Sequence, residues 1–93
     1  MVVALLSLDC HLPVARSLKD KRTVLQSVKA CVRSFNVSVA EVEHQDLWQR
    51  AGLAVVTVAA SEPLAERELG AVLEAIDRRE PGLVTRSQVE FLA

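Results

Sequence analysis

Asn36-Val-Ser-Val-Ala-Glu-Val-Glu-His-Gln-Asp-Leu-Trp-Gln-Arg50 is the stretch from which the fold is read. Its first half, Val37 to about Glu43, has the composition of a strand, and Arg50 to Ala60 directly after it reads as another. Between them lies a polar segment with the chain's one tryptophan, Trp48, and one of its two histidines, His44. No glycine or proline occurs between Ser38 and Ala51, although hairpin connections commonly use them. Side chains must therefore hold this connection, with Asp46 able to form an Asx turn and Trp48 able to anchor on apolar surface.

The strand from Arg50 is apolar on both faces, with Ala51, Leu53 and Val55 on one and Ala54, Val56 and Val58 on the other. That pattern predicts a central strand covered on both sides. At the N-terminus, Val2, Ala4, Leu6, Leu8, Cys10 and Leu12 alternate with Val3, Leu5, Ser7, Asp9 and His11. This is a strand with one fully apolar face and one that turns polar toward its end. Pro13 stops it, because proline has no N–H for the ladder.

Ser17 is a helix N-cap, and Asp20 three residues on completes a shortened capping box. From there to about Ser34, Val24, Leu25, Val28, Cys31, Val32 and Phe35 recur at helical spacing as a buried stripe. Lys19, Arg22, Gln26, Lys29 and Arg33 form a second, mainly basic stripe on the exposed side. The bland reading of such a stripe is a solvated helix face. Arg16, Lys19, Lys21 and Arg22 also crowd the positive end of the helix dipole, where an exposed cation is disfavoured by about 0.3–1 kcal/mol. An acidic neighbour or a bound anion would relieve that penalty. Ser61 caps a second helix, with Pro63 in its first turn and Ala65, Leu69, Val72, Leu73 and Ile76 as its buried stripe. After the Pro81-Gly82 break, Thr85, Ser87, Val89 and Phe91 alternate with Arg86, Gln88 and Glu90, as on an edge strand.

The order β-α-β-β-α-β is the split βαβ pattern of a ferredoxin-like α+β fold, one domain over residues 1–93. Right-handed crossovers predict a four-stranded antiparallel sheet, order 4-1-3-2, with both helices on one face. This topology brings Glu41, Glu43 and Asp46 toward Arg16, Lys19 and Arg22, with Asp9, His11, His44, Trp48 and Arg50 along the same edge. Apart from Asp9, those residues make up the candidate binding edge, and Lys29 and Arg33 continue it as a basic stripe. The uncovered sheet face is expected to carry Val3, Leu5, Leu53 and Val55. An apolar patch of that kind favours a homo-oligomer.

Composition narrows the chemistry. Acids and bases nearly cancel, with a net charge of −1, so nucleic-acid binding would need a local basic patch. No apolar run approaches the ~20 residues that span a bilayer, and Met1 to Leu6 runs into a strand rather than a signal peptide. Cys10 and Cys31 are embedded in apolar patterns and read as buried, reduced thiols. A phosphate-cradling loop of the acylphosphatase kind would need glycines that His11 to Arg16 lacks. A metal-carrier site would need two thiols in that loop, and an iron–sulfur cluster about four cysteines. An RNA-recognition sheet would need aromatic platforms on its central strands. His44 with Glu43 and Asp46 lacks a nucleophile or a glycine-lined pocket. No cofactor, metal or catalytic residue is therefore expected.

Two segments resemble the signature of the YlxP-like family, small bacterial proteins of unknown function. One is Leu12-Pro13 followed by Ser17-Leu18-Lys19-Asp20-Lys21-Arg22. The other starts at Phe35-Asn36-Val37-Ser38 and continues through Ala40-Glu41-Val42 to His44-Gln45-Asp46-Leu47-Trp48-Gln49-Arg50. The resemblance spans essentially the whole chain and implies a ferredoxin-like fold in a bacterial cytoplasmic protein. Family members are often encoded beside translation and ribosome-maturation genes. The resemblance supplies no catalytic residues. The expectation is a non-catalytic binding module for RNA, a ribosomal particle or a protein, with a small-molecule sensor or enzyme at the loop edge as the alternative.

Overall fold

The computed structural model describes residues 1–93. Strand β1 runs Val2–His11, helix α1 Leu18–Val32, β2 Val37–Glu43, β3 Arg50–Ala59, α2 Glu62–Arg79 and β4 Val84–Phe91. The sheet order is β2-β3-β1-β4 with antiparallel neighbours throughout, the ferredoxin-like α+β arrangement that the element order predicts. No helix is long and apolar enough to cross a membrane.

Local signals place the helix ends. Ser17 Oγ accepts the Asp20 N–H at 3.0 Å, and the Asp20 carboxylate accepts the Arg16 N–H at 3.0 Å. The acid thus reaches one residue further back than in a standard capping box. Ser61 Oγ accepts the Leu64 N–H at 3.4 Å at the start of α2, where Pro63 is tolerated because its N–H would have no helical partner. Leu25, Val28 and Val32 of α1 and Ala65, Leu69, Val72 and Ile76 of α2 meet Ala4, Leu6, Leu8 and Cys10 of β1 in one core. Two polar links stitch the helix layer: Arg79 Nε donates to Ser27 Oγ at 2.9 Å, and Glu68 Oε1 accepts the Asn36 N–H at 3.0 Å.

One expectation fails at the third strand. Leu53 and Val55 are not on the uncovered sheet face but in the core under the helices. Strand parity explains this: Leu53 lies opposite Leu8 and Val55 opposite Leu6, and directly opposed residues share a face. Val3 and Leu5 do lie on the uncovered face, where their register partners are Val58 and Val56. Val58 is 54% exposed.

A bulge in β2 shapes the sheet end nearest the β2–β3 connection. Glu41 lies opposite Leu53, but Glu43 lies opposite Gly52, so Val42 is the extra residue. The insertion flips the parity, and Glu41 and Glu43 project to opposite faces. Gly52 is required there because a Cβ at that position would sit 2.6 Å from Glu43 Cβ. Gly70, within α2, has no atom within 4 Å of the place a Cβ would occupy. Gly52→Ala should therefore lose about 1–3 kcal/mol in urea denaturation through overpacking. Gly70→Ala should gain about 0.5–1 kcal/mol, because alanine is the better helix former. Equal effects from the two substitutions would contradict the bulge packing described.

Candidate functional site

The side chain that organises the candidate edge is Lys21. It sits one turn before Leu25 and in phase with Val28 and Val32, so the rotation of α1 that buries the apolar stripe also buries this lysine, which is 2% exposed. Its ammonium has three N–H donors. Nζ donates to the His44 carbonyl at 2.7 Å and the Leu47 carbonyl at 2.7 Å, and lies 2.6 Å from Glu41 Oε2. Glu41 Oε2 is fully buried with no well-angled hydrogen bond, so the ion contact with Lys21 is its compensation.

This contact closes the β2–β3 connection without turn glycines. The His44 carbonyl also accepts the Leu47 N–H at 3.0 Å, making a turn whose two ends are both held by Lys21. His44 adopts φ 60°, a left-handed conformation that disfavours a side chain by about 1–2 kcal/mol. The carbonyl orientation that conformation provides is what the ammonium uses. Gln45 Nε2 donates to the Glu41 carbonyl at 3.3 Å. Gln49 Nε2 reaches across to the carbonyls of Pro13 and Ala15 at 3.2 and 3.3 Å, and the Gln49 carbonyl accepts the Leu12 N–H at 2.9 Å. Side chains thus hold the loop, as its lack of glycine and proline requires, but Asp46 and Trp48 are not the ones that do it. Trp48 is 52% exposed rather than anchored.

The predicted meeting of acids and bases is realised in a different way. Arg16, Lys19, Arg22, Lys29 and Arg33 form no ion pair, and the buried Lys21 takes the carboxylate of Glu41. Glu43 sits on the opposite sheet face because of the bulge, with His44 Nε2 3.9 Å away, an ion pair only when the imidazole is protonated. Asp46 is exposed and unpaired. His11 lies opposite Arg50 across β1 and β3, and Arg50 is 3.9 Å from Asp9. What the fold does bring together is a groove of about 300 Å³ between α1 and the loop, lined by Leu18, Arg22, Gln26, Lys29, Glu41 and Gln45. Trp48 lies just beyond, on a shallow surface shared with Asp46, Leu47, Gln49 and Arg50.

Sequence reasoning missed Lys21 as the organising residue by grouping it with the exposed bases. The signal was its phase: Lys21, Leu25, Val28 and Val32 follow one another at four, three and four residues. Elsewhere no group of three or more His, Cys, Asp or Glu converges in a way that would hold a metal ion. The cysteines are free. Burial, and secondarily the neighbouring Asp9 carboxylate, push the Cys10 thiol up from 9.0 to about 11. Burial also raises Cys31, which is only partly enclosed.

The two segments singled out in the sequence are the two sides of the Lys21 contact. Residues 3–89 match the family described as "Protein of unknown function (DUF503)". The chain belongs to this family. It is also 41% identical over 70 residues to the uncharacterized protein YlxP of Bacillus subtilis (strain 168), covering 74% of this chain and 76% of that protein.

Lys21→Met should lower stability by about 3 kcal/mol in chemical denaturation, since it leaves Glu41 and two loop carbonyls without their partner. Adding Glu41→Leu should recover part of that loss, because the uncompensated carboxylate is then gone. For the thiols, a chromogenic disulfide reagent at about pH 8 should label Cys31 well before Cys10, because only thiolates react. With its folded value above its unfolded one, Cys10 favours folding fully below pH 9.0. That contribution should decline as the pH rises from 9.0 toward about 11, a loss that Cys10→Ala should remove.

Proposed function

We propose that this protein is a non-catalytic binding module that holds RNA at the junction of α1 and the β2–β3 loop, in the setting of translation or ribosome maturation. The observation that carries the reading is the state of the basic row on α1. Lys19, Arg22, Lys29 and Arg33 are all exposed and none is paired with a carboxylate, in a chain whose net charge is −1. Unpaired cations concentrated on one face of a near-neutral protein produce a local field that its overall charge does not.

The loop adds the second half of a nucleic-acid surface. Trp48 offers a half-exposed indole face, and the loop that carries it is tied down by Lys21 and Gln49. A base can stack on such a platform for about 1–3 kcal/mol while neighbouring phosphates face the cations. Arg16 and Arg50 flank the same edge, with His11 opposite Arg50, and His44 and Asp46 supply its polar rim, while Glu43 lies on the opposite sheet face. Glu41 is occupied by Lys21 and takes no part in recognition. The absence of a nucleophile beside a base favours binding over a small-molecule enzyme at this edge.

Fluorescence anisotropy with a labelled single-stranded RNA tests this. Four phosphate contacts predict an affinity that falls roughly fiftyfold between about 50 and 200 mM salt. Arg22→Glu with Lys29→Glu should abolish binding and flatten the salt dependence, and Trp48→Ala should weaken binding without changing the salt slope. Binding indifferent to salt, or untouched by the double charge reversal, would sink the proposal.

A further inference from the structure

The two edges of the sheet are not equivalent. The β2 edge is broken by the bulge at Val42 and exposes the Glu43 carboxylate, so a second copy laid against it would meet a distorted, charged strand. Strand β4 has no bulge from Arg86 to Phe91, no proline and no lysine, and is exposed over nearly its whole length. Its only guards are the charges of Arg86 and Glu90, so it can template a strand that answers them with opposite charge.

Its hydrogen-bonding direction is set by its pairing with β1. The Leu92 N–H donates to the Val3 carbonyl at 2.8 Å, and β4 continues opposite β1 with Glu90 facing Leu5, Gln88 facing Ser7 and Arg86 facing Asp9. In an antiparallel ladder, hydrogen-bonded positions alternate. Arg86, Gln88 and Glu90 therefore direct their peptide groups toward β1, and Ser87, Val89 and Phe91 direct theirs outward. An antiparallel, two-fold pairing of β4 with a copy of itself must then match outward residues with outward residues. With the axis at Gln88, Ser87 faces Val89 of the second copy, and Arg86 faces its Glu90 on the uncovered sheet side. The symmetry makes that ion pair twice.

We infer that β4 is a homodimerisation edge, joined antiparallel about Gln88 to β4 of a second copy, so that the four strands of each become one eight-stranded sheet. The two-fold axis stands perpendicular to the sheet, which keeps the helices of both copies on the same side. In this register, opposite charges face each other at positions where the strands' side chains approach closely. The seam also runs beside Val89 and Phe91, which are 44% and 36% exposed and lie toward a groove with Leu69, Gly70 and Leu73 of α2.

Sedimentation velocity of the whole chain at micromolar concentration should give a dimer. Arg86→Glu and Glu90→Arg should each raise the dimer dissociation constant roughly tenfold or more, because each puts like charges opposite one another twice. The combined Arg86→Glu/Glu90→Arg protein should dimerise again, which separates a registered ion pair from simple misfolding of either single variant. A wild-type monomer would overturn the inference. So would a dimer that ignores both single charge changes, or one that Val58→Glu on the uncovered sheet face dissociates while Arg86→Glu does not.

Discussion

The ammonium of Lys21 is the contact on which this structure depends. Removing a charge of that kind from water costs several kcal/mol, and here hydrogen bonds to two loop carbonyls and an ion contact with one carboxylate offset it. The contact couples three parts of the chain. Helix α1 supplies the cation, β2 supplies Glu41, and the turn from His44 to Leu47 supplies the carbonyls. Rotating the helix would withdraw Lys21 and the apolar stripe together, so helix phase and loop conformation are decided jointly.

The bulge at Val42 has a comparable reach over the sheet. It leaves Glu41 facing the helix layer, where Lys21 needs it, and turns Glu43 to the uncovered face above Gly52. In a regular strand these two acids, two residues apart, would share a face, and the second would compete for the same buried cation. The bulge also breaks the β2 edge. The two edges therefore differ for a physical reason: one is bent and acidic, the other regular over most of its length and balanced between Arg86 and Glu90.

Rigidity at the loop matters for what the proposed surface would do. A half-exposed tryptophan on a mobile loop would lose much of its stacking energy to ordering. Here the carbonyls on either side of Trp48 are held, that of Leu47 by Lys21 Nζ and that of Gln49 by the Leu12 N–H, and that part of the cost is met during folding. The exposed cations of α1 are likewise displayed on a helix whose N-terminus is capped by Ser17 and Asp20.

Much of this architecture was legible in the sequence because it rests on local periodicity. The alternation in Val2–His11, the helical spacing of Leu25, Val28 and Val32, the serine caps and the topology of six elements in order are all nearest-neighbour or short-range signals. The apolar character of both faces of β3 was equally plain, but which face met the helices was not. Alternation alone does not decide the side of Leu53 and Val55, because that depends on register with β1, a long-range property. The same limit hid the roles of the charged residues. Composition set Lys21 among the other bases, and only the packing of α1 against the β2–β3 loop made it a buried pin. The basic row on α1 could be read directly from its three- and four-residue spacing; that its members stand unpaired, while their neighbour holds the loop, was decided by the tertiary structure, because a side chain's partners follow from burial and register rather than from its neighbours in sequence.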